Sequence, residues 1–210
     1  MSGLRSSVLG TALAVSAALA WAGAAMAQDT GAQVTEIDWA EAQADARQQL
    51  ASTPATTARL PQSAPAPANA SAQDFQSVRL PVLIPRLNGA KTGLNSDQDG
   101  FLFFPRGDSY VASMAVEDIL IEVYGSRRIH AEIADPAAAR RLRAGQDASG
   151  YRIAETEGGQ TVSFSRYGAA YSVTLECAVP RSQPRCSDPQ FARAVANALI
   201  IAGGSPEDGP

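Results

Sequence analysis

Residues 151–177, YRIAETEGGQTVSFSRYGAAYSVTLEC, constrain the fold more than any other stretch of the chain. Apolar and polar residues alternate at a period of two, and glycine-containing pairs interrupt the alternation, which is the pattern of successive antiparallel strands. Taking Gly158-Gly159 as a two-residue turn, where glycine tolerates positive φ, pairs Ile153 with Phe164 and Glu155 with Val162. Taking Gly168-Ala169 as the next turn pairs Phe164 with Val173 and Val162 with Leu175. The two registers agree. They place Ile153, Phe164, Val173, Val162, Leu175 and Cys177 on one face, and Arg152, Thr156, Thr161, Ser163, Ser165, Ser172, Thr174 and Glu176 on the other. One face is core and the other is wet, as an antiparallel meander allows.

Further strands are expected upstream. Ser77–Ile84 is an apolar run bracketed by Pro81 and Pro85, which predicts a short or edge strand. Phe101–Phe104 follows a turn-rich loop, and Tyr110–Met114 and Ile119–Tyr124 alternate in the strand sense around a tight Val116-Glu117-Asp118 turn. Asp135-Pro136 reads as the cap and first position of a one-to-two-turn helix ending near Gly145. A last helix is predicted from the Asp188 cap and Pro189 to Gly203-Gly204, with Phe191, Val195, Leu199 and Ala202 as its apolar stripe. The fold class that follows is α+β: an antiparallel sheet of about six or seven short strands with a C-terminal helix packed on one face.

The N-terminal third reads differently. Arg5 precedes an apolar run from Val8 to Ala25, and Ala25-Met26-Ala27 is a small-residue peptidase site, so residues 1–27 are expected to be a signal peptide cut before Gln28. The rival is a retained anchor, which the run is barely long enough to form. Residues 28–50 contain one short helix, with Thr35 as its cap and Asp38 three residues on, and Ile37, Trp39, Ala40, Ala44 and Leu50 are too sparse to make a firm apolar face. Residues 51–73 are rich in Ala, Pro, Ser and Thr with Arg59 as their one charge, which makes an extended linker. A single globular domain is expected over 74–204, followed by a tail at 205–210. No later segment is apolar enough to span a bilayer, so the expected location is periplasmic or secreted.

Cys177 and Cys186 are expected to pair in such a compartment. A zinc site made by these two cysteines and His130, the chain's one histidine, fails on spacing and on redox compartment. The formal net charge of −4 argues against general nucleic-acid binding. Asn95, Asp97 and Asp99 with Gly100 match the first half of a calcium loop, but the twelfth position is Arg106 and a strand pattern follows, so a polar turn explains them. Arg106-Gly107-Asp108 spells an adhesion tripeptide that a loop between Pro105 and Ser109 accounts for. His130-Ala131-Glu132 lacks the P-C-x-x-C of zinc deaminases, and Glu155 and Glu157 read as a solvated hairpin tip. No cofactor motif is present: GxxxxGK[ST], GxGxxG and GxSxG are all missing.

These readings favour a non-enzymatic binding or accessory domain for a protein or an envelope component. The candidate contact residues are the arginine-rich stretch with Arg127, Arg128, His130, Arg140, Arg141 and Arg143, and the aromatic segment with Phe101 and Phe103. The alternatives are a small-ligand or lipid-binding protein that holds its ligand between sheet and helix, and a hydrolase with an unrecognised site.

Overall fold

Two three-stranded meanders joined edge to edge make the central sheet. The computed structural model describes residues 32–52, 69–87, 101–130, 137, 140 and 144–206. In chain order the elements are β1 Ala32–Val34, α1 Trp39–Ala51, α2 Ala72–Gln76, β2 Val82–Pro85, β3 Leu102–Pro105, β4 Ser109–Val116, β5 Ile119–Ser126, β6 Arg128–His130, β7 Arg152–Glu155, β8 Gly159–Arg166, β9 Ala169–Cys177, a 3-10 turn Pro180–Ser182, α3 Pro184–Ser187, α4 Pro189–Asn197 and β10 Leu199–Gly203. Six strands form one antiparallel sheet in the order β3-β4-β5-β9-β8-β7, while β1–β6 and β2–β10 form separate two-stranded ribbons. The class is mixed α+β, with the C-terminal helix against one sheet face.

The sheet repeats itself internally. Strands β7, β8 and β9 each begin fifty residues after β3, β4 and β5. The ladders follow the same offset: Leu102↔Ser113 corresponds to Arg152↔Ser163, and Ser109↔Ser126 to Gly159↔Glu176. At the seam Val123 pairs with Val173, its own counterpart, so the ladder has a local two-fold centre there. The equivalent β4–β5 and β8–β9 turns both begin with a non-glycine residue at positive φ, Glu117 at 55° and Tyr167 at 53°.

The meander read from the sequence is present, with its registers moved. Ile153 pairs with Val162, Glu155 with Gln160, Val162 with Val173 and Phe164 with Tyr171. The turns are Glu157-Gly158 and Tyr167-Gly168, one residue earlier than the glycine pairs suggested. The reason is packing. Gly159 lies inside β8, where a Cβ would collide with the Leu175 carbonyl, and Tyr167 is held at its unusual φ because its hydroxyl donates to Asp45 (2.8 Å) and its carbonyl accepts from the Asp38 N–H (3.0 Å). Each register moves by two residues, an even number, so every side chain keeps its face. The core row therefore runs Phe103, Ala112, Val123, Val173, Val162, Ile153 across all six strands.

Two tyrosines pin β2 over this face. The Tyr110 hydroxyl accepts from Leu83 N–H (2.7 Å) and donates to Leu83 C=O (2.9 Å), and the Tyr171 hydroxyl donates to Pro81 C=O (2.8 Å). Both rings crowd Gly125, where any side chain would strike them. Burial, above all, raises both phenols well beyond their ordinary range, so they serve as neutral hydrogen-bonding groups. Helix α4 packs on β8 and β9 through Phe191, Ala192, Val195 and Ala196. Its cap is Asp188, which accepts from Gln190 N–H at 2.9 Å. The Cys177–Cys186 disulfide, with Cα atoms 6.4 Å apart, ties the end of β9 to α3.

Three expectations are corrected. The last helix stops at Asn197, and Leu199–Gly203 is a strand paired with β2. Without it the buried run Val82–Pro85 would lack a ladder partner, and the β-branched Ile200 and Ile201 suit the extended form. The strand expected over Ser77–Ile84 starts only at Val82. The cap of α1 is Asp38, which accepts from Glu41 N–H at 2.9 Å, while the Thr35 hydroxyl donates to Arg127 C=O. β1 pairs with β6, and Ile37 and Ala42 belong to the main core cluster. The signal segment, most of the linker and the Asp135-Pro136 helix start lie outside the described residues, with residues 137, 140 and 144 helical. Among the described residues no helix is long and apolar enough to cross a membrane.

Gly168 marks the docking of the N-terminal segment. It sits at φ 80°, and a Cβ there would strike the Glu36 carbonyl; Gly150, at φ 77°, has open space around it. Gly150→Ala should cost only left-handed strain, about 1 kcal/mol, whereas Gly168→Ala should cost about 2–3 kcal/mol because the Glu36 backbone must also move. Denaturant unfolding measures the difference. Cys177→Ser with Cys186→Ser should cost about 2.5 kcal/mol by releasing a loop of about ten residues.

Candidate functional site

The face of the sheet turned away from β2 and α4 carries a chemical gradient. One row reads Phe104, Val111, Tyr124, Ser172, Ser163, Arg152 from β3 to β7. The next reads Leu102, Ser113, Glu122, Thr174, Thr161, Ala154, with the Thr161 and Thr174 hydroxyls 3.1 Å apart. Alternation along each strand brings these side chains out because their neighbours fill the core. The β3 end is apolar and exposed, with Leu102 at 39%, Phe104 at 45% and Tyr124 at 44%. The β8–β9 region is lined with hydroxyls, and β7 contributes a guanidinium.

A groove of about 540 Å³ lies on this face, lined by Tyr124, Gln146, Arg152, Ser163, Ser165, Ala170 and Ser172 together with Phe164 and Tyr171. Its wall at Gln146 is held by the following turn. Asp147 Oδ1 accepts from Ser149 N–H (2.8 Å) and Tyr151 N–H (3.0 Å), and Oδ2 pairs with the Arg193 guanidinium (2.7 Å) on α4. The Tyr151 N–H above all, then the Ser149 N–H and Arg193, hold the Asp147 carboxyl below the ordinary aspartate range against an opposing effect of burial. The Tyr151 hydroxyl donates to Asn197 at 2.8 Å, a second tie between this turn and α4. The groove thus offers the exposed Tyr124 ring, several hydroxyls, an amide and one cation on paired strands.

The arginine-rich stretch splits up. Arg127 and Arg128 meet Arg79 around the buried Asp108 carboxylate. Arg79 Nη2 lies 2.7 Å from Oδ1, Arg128 Nη2 and Nε donate to Oδ2 at 3.0 and 3.2 Å, and Arg127 Nε lies 3.7 Å from Oδ1. Arg127 is buried, which removes it from the expected contact surface; Arg128 stays largely exposed. The same contacts place Asp108 of the Arg-Gly-Asp tripeptide inside the structure, in the β3–β4 turn. Arg140 is exposed in a helical residue.

Phe101 and Phe103 are also corrected as contact residues. They are 0% and 1% exposed and stack with Phe75, whose ring lies 4.4 Å from that of Phe103. Strand alternation puts the odd-numbered residues of this segment in the core and leaves Leu102 and Phe104 outside. His130 ends β6, and its side chain, like Arg141, Arg143 and the Asn95, Asp97 and Asp99 loop, lies outside the described residues. Among the described residues no group of His, Cys, Asp and Glu is gathered to hold a metal. The space between sheet and helix expected for a ligand is filled by Val162, Phe164, Leu175, Phe191 and Val195.

Sequence reasoning named Arg152, Ser163, Ser165 and Ser172 as one wet face but missed Tyr124 and Gln146. Tyr124 comes from the other meander, and only the β5–β9 pairing brings it beside Ser172. No protein-family model matches this chain, and comparison with curated proteins and with solved structures finds no match either.

Because the folded-state pKa of Asp147 is depressed, its stabilising effect is complete above the unfolded value near pH ~4 and is lost as pH falls through the folded value. Asp147→Asn should therefore lower the melting temperature at neutral pH, and the gap to the parent protein should close on acidification below about pH 4. A thermal-melt series against pH reads this directly, and a gap constant across pH would refute the assignment.

Proposed function

We propose that this chain is an exported binding domain, acting in the periplasm or outside the cell, that recognises a protein or envelope component through the wet face of its six-stranded sheet. The observation that carries the reading is the groove at Tyr124, Arg152 and Ser163, where an exposed aromatic ring, hydroxyls and a guanidinium converge on neighbouring paired strands. A ring supplies contact area at low conformational cost, and Arg supplies directional donors to an acidic or carbonyl-rich partner. The Cys177–Cys186 disulfide is compatible with an oxidising compartment, and the signal-like residues 1–27 agree with export. The contact surface differs from the one the sequence suggested: it centres on Arg152 and Tyr124, while Phe101, Phe103 and Arg127 serve the fold.

Photo-crosslinking in cells of the native host tests this. A photoreactive residue at position 124 or 163 should yield a discrete crosslinked species, and one at Arg47, on the exposed side of α1, should not. Arg152→Glu or Tyr124→Ala should weaken that association at least tenfold, about 1.4 kcal/mol or more, with an unchanged melting temperature. Full retention in both variants would rule out this face. The groove is also of the size that takes a small molecule. Native mass spectrometry of the purified protein distinguishes that second reading by a retained low-mass ligand that Ser163→Trp displaces.

A further inference from the structure

The two outer edges of the sheet are treated differently, although the ladder makes them equivalent. In β3 the backbone of Phe103 points outward, and Asn69 satisfies both its groups: Phe103 N–H donates to Asn69 Oδ1 (2.8 Å) and Asn69 Nδ2 donates to Phe103 C=O (3.1 Å). The next outward position is Pro105, which has no N–H to offer. That edge is closed. Fifty residues on, the counterparts are Ile153 and Glu155 in β7. Thr156 and Gly159 exchange hydrogen bonds across the turn (2.9 and 3.4 Å), so Thr156, Ala154 and Arg152 face β8, while Ile153 and Glu155 turn their N–H and C=O away. Tyr151, the outward residue before them, is satisfied at both groups by Asp147. The outward backbone groups of Ile153 and Glu155 make no hydrogen bond among the described residues. A strand edge bearing ordered, unpaired groups is a template for another strand.

We infer that β7 is the docking edge for a second copy of this chain, joined antiparallel about a two-fold axis. One register uses every outward group: Ile153 of each copy opposite Glu155 of the other, with Ala154 facing Ala154 between them. Those central residues form a non-hydrogen-bonded pair, the position of closest Cα approach, where a methyl side chain fits. The charges agree with that orientation. The antiparallel register sets Arg152 opposite Thr156 on the groove face and Glu155 opposite Ile153 on the other, so no like charges oppose, whereas in-register parallel addition would set Arg152 beside Arg152 and Glu155 beside Glu155. The product is a continuous twelve-stranded sheet with both grooves on the same side, the isologous arrangement expected of a symmetric dimer.

Sedimentation equilibrium on the mature chain over a concentration series into the high-micromolar range tests this. A monomer–dimer equilibrium is expected, and Glu155→Pro should weaken it at least tenfold. That substitution removes one outward N–H and leaves the β7–β8 ladder alone, and Pro105 already occupies the equivalent place in β3. Unchanged circular dichroism and melting temperature would confirm that the fold is intact. As a second measurement, Ala154→Cys should form a covalent dimer on mild oxidation much faster than Ser165→Cys, which lies on the same face away from the edge. A monomer at every concentration, a dimer indifferent to Glu155→Pro, or equal crosslinking of the two cysteine variants would overturn the inference.

Discussion

The pairing of β5 with β9 is the interaction on which the rest of the molecule depends. It spans eight residue pairs from Ile119↔Cys177 to Ser126↔Ala170, with the fully buried Val123 and Val173 at its centre. A three-stranded meander with short outer strands buries little apolar surface alone; joining two of them makes a six-stranded face broad enough for a second layer. The seam also creates what it supports. Gly125 on β5 lies between Tyr110 of its own meander and Tyr171 of the other, and these two rings carry the hydroxyls that pin β2. β2 in turn gives β10 its partner, so the C-terminal strand rests on the seam at one remove.

The obligation to satisfy backbone groups explains much of what surrounds the sheet. Asn69 closes β3, the Tyr110 hydroxyl closes β2 at Leu83, Gln49 accepts the Ile201 N–H on β10, and Asp147 closes Tyr151. In each a side chain stands in for a strand, with the Asp147 backbone N–H completing the closure at the Tyr151 carbonyl. Gln49 on α1 and Asn69 before α2 tie the early parts of the chain to β10 and β3 in this way. β3 is sealed by Asn69, whereas the outward groups of Ile153 and Glu155 on β7 make no hydrogen bond among the described residues.

Charge is distributed by the same logic. Arg79, Arg127 and Arg128 are wrapped around Asp108 and link the approach to β2, the β3–β4 turn and the start of β6. A buried carboxylate with several guanidinium partners fixes geometry, because leaving any member unpaired is costly. Arg152, by contrast, stands on an exposed strand beside hydroxyls, where a guanidinium is available for recognition. Counting arginines along the chain could not separate these two roles, since each is set by neighbours distant in sequence.

A period of two in residues 151–177 was enough to divide core from wet side chains, and that division survived although both turns were misplaced, because an even shift in register preserves the faces. The Cys177–Cys186 pair and the Asp188-Pro189 helix start were equally legible, being local chemistry: a short loop that closes, and a cap whose carboxylate meets the next free N–H. Other features were decided by tertiary structure. Leu199–Gly203 fits a helical stripe as well as a strand, and the unpaired edge of β2 made it a strand. Phe101 and Phe103 share a face by alternation alone, but Phe75 and Tyr110 decided that the face is inward. The internal repeat left almost no trace, with Ser113/Ser163 and Val123/Val173 the only identities between the two meanders, because ladder geometry depends on backbone direction and on which face is apolar and hardly on which apolar residue is used. Local periodicity determined the faces of the strands; the long-range β5–β9 pairing determined which strands are neighbours, and with that both the groove and the open edge.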